Sequence, residues 1–98
     1  MDFVDLHGAS GQAYRFRAWP AVGRHPPMAG NYVALRAQTR EVVAVGVLDN
    51  LADARLHVES LGPGVELFTR LNVSRVDREA DQADLAAAHA TGSNPAAA

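Results

Sequence analysis

Apolar and polar residues alternate along Phe3-Val4-Asp5-Leu6 and again along Ala13-Tyr14-Arg15-Phe16-Arg17-Ala18-Trp19, with the glycine-bearing segment His7-Gly8-Ala9-Ser10-Gly11-Gln12 between them. A period of two marks half-buried strands, and glycines suit a tight connection, so the pattern predicts an N-terminal hairpin. On its second strand the alternation sends Tyr14, Phe16 and Ala18 to one face and Arg15, Arg17 and Trp19 to the other. Pro20 ends that strand. Gly23-Arg24-His25-Pro26-Pro27 continues neither regular structure, because the prolines remove donors and push the preceding residue into extended conformations.

Asn31-Tyr32-Val33-Ala34-Leu35-Arg36 and Glu41-Val42-Val43-Ala44-Val45-Gly46-Val47-Leu48 are β-rich runs joined by Ala37-Gln38-Thr39-Arg40, a second hairpin. The later run is nearly all apolar, which places it centrally in the sheet. Asp49 or Asn50 then caps a helix with apolar positions Leu51, Ala54, Val58 and Leu61, ended by Gly62-Pro63-Gly64. Val65 to Val73 alternates as a strand. Ser74 and Asp77 resemble a capping box for a last helix running from about Val76 to His89. Residues 90–98 carry too little apolar bulk to fold and are expected to form a flexible tail. The expected fold class is α+β: one domain over 1–89, with a small mixed or antiparallel sheet, an N-terminal hairpin and two helices.

Gly30-Asn31-Tyr32, followed by Ala44-Val45-Gly46-Val47-Leu48-Asp49-Asn50-Leu51, resembles the signature of the GIY-YIG endonuclease family, and the likeness covers about residues 28 to 95. It implies a strand-strand-helix-strand-helix core. In that family tyrosines, a helix arginine holding phosphate and a later helix glutamate holding one divalent metal carry out phosphodiester cleavage. Tyr32, Gly46 and Asn50-Leu51 match the motifs, and Asn94-Pro95 matches a common family ending. Ala44 stands where the second tyrosine belongs, and Val47 replaces a residue that is commonly lysine. The arginine position falls at or next to Ala54, so Arg55 is one residue late and borders the apolar face of its helix. The glutamate position falls on Gln82 or, with the alignment moved by two, on Asp84. A glutamine lacks the anionic oxygen that a hard cation prefers, and an aspartate reaches less far.

Composition narrows the chemistry further. The chain has 98 residues, no lysine, no cysteine and a net charge of −2. One modest core is therefore expected, any metal must rest on histidine or carboxylate, and nucleic-acid binding is limited to a local basic patch. His7, His25, His57 and His89 show no ligand spacing, and Asp77, Asp81 and Asp84 read as a solvated acidic face of the last helix. No run suits a membrane span or a secretion signal, so a cytoplasmic protein without membrane contact is expected. The Arg15-Arg17-Trp19 face suits a protein interface or a phosphate backbone, or simply covers the sheet.

These readings favour a non-catalytic binding or adaptor domain without a cofactor, engaging a protein partner in preference to nucleic acid. Its expected binding residues are Arg15, Arg17, Trp19, Tyr32 and Arg55. The alternative is an endonuclease or phosphodiesterase dependent on magnesium or manganese, with a site rebuilt from Tyr32, Arg55 and Asp84.

Overall fold

The structure is a computed structural model that describes residues 2–89. The expectations for the 90–98 tail and for Asn94-Pro95 lie outside the described residues. Five strands, β1 (Phe3–His7), β2 (Ala13–Ala18), β3 (Gly30–Arg36), β4 (Val42–Leu48) and β5 (Val65–Leu71), form one sheet in the order β1-β2-β5-β3-β4. Every neighbouring pair is antiparallel. Helix α1 (Ala54–Val58) lies between short 3₁₀ turns at Leu51–Asp53 and Glu59–Leu61, and α2 (Arg75–Ala88) closes the described chain. The class is thus α+β, and the N-terminal hairpin extends the sheet by pairing β2 with β5.

The two helices cover opposite faces. Tyr14, Phe16, Val33, Leu35, Val45 and Phe68 face α2 and enclose its Leu85. Phe16, Phe68, Leu35 and Leu85 are fully buried, and burial of each such side chain contributes about 1.5–3 kcal/mol. On the other face Ala34, Ala44 and Leu67 meet Ala54 and Val58 of α1. The small side chains on β3 and β4 let this short helix sit close to the sheet. Asn50 caps the 3₁₀ turn that leads into this helix, accepting from the Ala52 amide at 3.0 Å, and Gly62, at φ 83°, leaves the segment in a conformation that favours glycine. Ser74 caps α2 as its spacing with Asp77 suggests, accepting from the Asp77 amide at 3.3 Å.

Three expectations need correction. The apolar run at 41–48 is an edge strand rather than a central one. Its continuous apolar character follows from α2 on one face and α1 on the other, which buries both sides of β4 without placing it mid-sheet. The segment after Asn50 is one short α-helix between two 3₁₀ turns, although Leu51, Ala54 and Val58 are buried as its period requires. The acidic face of α2 is solvated only at Asp77, while Asp81 and Asp84 are engaged by the sheet side of the domain. Asp81 accepts from Arg70 and Asn72, each at 2.9 Å, and Asp84 accepts from Tyr14 and Ser10. Arg78, on the same helix, is buried; it donates to the Val73 carbonyl and to Asp49, both at 2.8 Å.

Candidate functional site

Strand register decides what shares a face. Phe3, Arg17, Thr69, Tyr32 and Gly46 are directly opposed, strand by strand, in one row across the sheet. The row lies on the α1 side, but α1 covers only the β3–β4 end of it. The β1–β2 end is open: Phe3 is 42% exposed and Leu71, on β5, 49%.

At this open end β2 and β5 pair only at Arg17–Thr69 and Ala18–Phe68. The Trp19 amide then donates to the Leu67 carbonyl at 2.9 Å. In the other direction the strands part, and a cavity of about 370 Å³ opens between them, lined by Arg15, Arg17, Arg24, His25, Thr69 and Leu71. Its floor is ordered by an unexpected contact. His25 is buried, with Nδ1 2.8 Å from the Pro26 carbonyl and Nε2 2.6 Å from Thr69 Oγ1. A carbonyl only accepts, so Nδ1 carries hydrogen, and in the neutral ring the Thr69 hydroxyl donates to Nε2. Trp19 stacks on the other side of the imidazole, with ring centroids 4.9 Å apart and planes inclined by 17°. The proline-rich loop is thereby fastened over the sheet and forms one wall of the groove.

Charge is distributed unevenly over the surface. Of nine basic side chains, all arginine, six form ion pairs among the described residues: Arg15, Arg36, Arg40, Arg70, Arg75 and Arg78. Arg17, Arg24 and Arg55 remain without a carboxylate partner there. Arg17 and Arg24 both line the cavity. Arg15 reaches it too, but it is held by Asp5 at 2.8 and 2.9 Å and lies over the Phe3 ring at 3.9 Å. That guanidinium also holds the Asp5 carboxyl below its ordinary pKa.

The residues singled out in the sequence fall into separate places. Tyr32 lies across Gly46, where a Cβ would stand 2.2 Å from its ring, and its ring is 6.3 Å from that of His57. Burial raises its phenol pKa. Arg55 is exposed at the rim of a shallow groove that it shares with Trp19 and Glu66. Trp19 is partly buried, packed on the α1 side of the sheet, and Ala44 is sealed beneath α1. Asp84 lies on the other face of the sheet. Its Oδ2 accepts from the Tyr14 phenol and the Ser10 hydroxyl at 2.7 Å, and its Oδ1 from the Ser10 amide at 2.8 Å. The Tyr14 and Ser10 bonds lower its pKa, while burial and the same contact push Tyr14 up to about 12. Tyr32, Arg55 and Asp84 are therefore not brought together.

The divalent cation implied by the family resemblance can be tested against these side chains. Gln82 turns its amide nitrogen to the Val45 carbonyl at 3.1 Å, and the Asp84 carboxylate already receives three donors. Neither offers a vacant anionic oxygen beside Tyr32, so the residues present do not fit the metal. Among the described residues no three His, Asp or Glu side chains gather as a metal-holding group. No helix among them is long and apolar enough to cross a membrane. No family model, curated protein or solved structure matches the chain.

Arg24, His25 and Thr69 were not singled out as functional from sequence. The face-sharing of Arg15, Arg17 and Trp19 was legible from alternation, and the hairpin register that ties Arg15 to Asp5 would have pointed to Arg17 as the unpaired member.

Proposed function

We propose that this chain is a non-catalytic binding module of GIY-YIG-like layout that engages a protein partner through the groove between β2 and β5. The observation carrying this reading is the pair of guanidiniums, Arg17 and Arg24, that share one cavity without a carboxylate among the described residues. Arginine beside apolar side chains is a favoured interface anchor, and Leu71, Pro20 and Pro26 supply the apolar part. A nucleic-acid surface would need cations spread along a backbone, whereas six of the nine arginines are neutralised by local carboxylates and the net charge is −2. The strand-strand-helix-strand-helix order from Gly30 onward supports the layout, and the dispersal of Tyr32, Arg55 and Asp84 weighs against the endonuclease alternative. Fold resemblance alone carries no activity.

The experiment has two arms. Single-stranded, duplex and branched DNA and RNA are incubated with the protein and magnesium or manganese; no cleavage is expected. Affinity capture is then compared between wild type and Arg17→Glu/Arg24→Glu, whose loss of a captured protein is expected. Metal-dependent cleavage abolished by Asp84→Ala would overturn the reading in favour of the enzyme.

A further inference from the structure

We infer that the groove between β2 and β5 is a recognition site for a phosphorylated side chain presented by an extended segment of the protein partner. This rests on the protein-partner reading of the same groove and adds the chemistry of what is bound.

Both carboxylate-free cations line the cavity where the sheet opens. Arg17 projects from the last paired row of β2 with β5, and Arg24 comes from the loop that forms the opposite wall. A phosphate monoester carries about −1.5 to −2 charges at neutral pH, so two carboxylate-free guanidiniums match it, and their planar forks suit its oxygens. A single carboxylate would neutralise only one of them. Arg15 stands beside them at the rim, its forked bond to Asp5 holding it in place.

The floor supplies order, not a donor: the Thr69 hydroxyl gives its hydrogen to His25 Nε2, so the phosphate's donors are the guanidiniums. Thr69 Oγ1 and the His25 ring already form an ordered pair, and Thr69 faces Arg17 directly across the two strands. The hydroxyl oxygen is thus fixed before any ligand arrives, and so is the wall that carries Arg24. This preorganisation lowers the ordering cost of binding.

The surroundings favour a peptide over a nucleic acid. Single-stranded nucleic acids are held by bases stacked on open aromatic faces. Here one Trp19 face is against His25, Tyr14, Phe16 and Phe68 are buried, and Phe3, 42% exposed, carries the Arg15 guanidinium on one face and does not line the cavity. The apolar lining of the cavity beside the cations is aliphatic: Leu71 on β5, with Pro20 and Pro26 on the loop. Residues flanking a phosphorylated side chain can rest there.

The test is a nuclear magnetic resonance titration of isotope-labelled protein, which reads weak binding site by site. Probes are inorganic phosphate, one short peptide made with a central serine, aspartate or phosphoserine, and a single-stranded oligonucleotide. Phosphate and the phosphoserine peptide are expected to shift the Thr69 amide and the Arg17 and Arg24 side-chain signals. The phosphoserine form should bind at least about tenfold more tightly than the aspartate form. Arg17→Glu/Arg24→Glu should abolish the shifts while its own spectrum reports an intact fold. Should that variant fail to fold, Arg17→Gln/Arg24→Gln serves in its place, and Arg75→Glu, on the far side of the sheet, is expected to bind as wild type. Equal affinity for aspartate and phosphoserine would overturn the inference while leaving the protein-partner reading intact. Tighter binding of the oligonucleotide at the same signals would overturn both. Absence of any groove shift with phosphate and phosphopeptide would overturn the phosphate site.

Discussion

Tyr14→Phe removes one oxygen and leaves the ring in place, which makes it a clean measure of how firmly Asp84 is committed to the fold. The Tyr14 phenol donates to Asp84 Oδ2 across 2.7 Å, and Tyr14 is only 3% exposed. A hydrogen bond to a charged acceptor contributes about 1.5–3 kcal/mol, and the bond is only part-buried. Asp84 would also keep its two Ser10 donors, so the lower end applies, about 1–2 kcal/mol. For a domain of this size that lowers Tm by roughly 5–15 °C. The dependence on pH has a definite sign. The folded-state pKa of Tyr14 is raised from 10.0 to about 12. The bond's stabilisation is therefore complete below the unfolded value and lost as pH rises through that window. The Asp84 carboxyl is shifted down, so its share is present above its ordinary 3.8 and lost on acidification through the lower folded value. Urea melts of both proteins, followed by Trp19 fluorescence and circular dichroism, should thus differ most near neutrality and converge at alkaline pH. Equal stability at neutral pH would refute the reasoning, because it would show that the Tyr14 phenol contributes no stabilising bond to Asp84.

Other perturbations test separate parts of the account. Gly30→Ala would place a Cβ 2.1 Å from the Arg70 carbonyl oxygen and 2.6 Å from Leu51; with backbone in the way, a loss of about 3 kcal/mol or more is expected in urea melts, and an unchanged midpoint would contradict the β3–β5 packing. Arg78→Met should cost about 1–2 kcal/mol by removing the donor to the Val73 carbonyl. Asp49→Asn, whose side chain is 96% exposed, should cost less than about 0.5 kcal/mol; equal losses would show the ion pair, not the carbonyl contact, to be dominant. Tyr32→Phe should leave groove binding within about twofold of wild type, since its ring lies over Gly46, away from the cavity.

Much of the fold was legible because its signals are local. The alternation in β1 and β2, the turn chemistry at Gly62 and the Ser74 cap each depend on residues a few positions apart. The position of β4 was not legible, since an edge strand buried under two helices reads like a central one. Asp81 and Asp84 were misread for a different reason: helical spacing puts them on one face, but only the tertiary fold brings Arg70, Asn72, Ser10 and Tyr14 to meet them. The groove was half visible. Arg17 follows from strand alternation and from the neutralisation of its neighbour by Asp5, whereas His25 and Thr69 lie 44 residues apart and share no local pattern.

The central claim, that a protein partner occupies the groove between β2 and β5, is tested most directly by photo-crosslinking. A benzophenone amino acid is placed at Leu71, on the groove, and separately at Val76, which is 76% exposed on α2. The expected result is one crosslinked protein from the Leu71 position, absent at Val76 and lost when Arg17→Glu/Arg24→Glu is added. Crosslinking to the same protein from Val76, or crosslinking from Leu71 that survives the double substitution, would contradict the account.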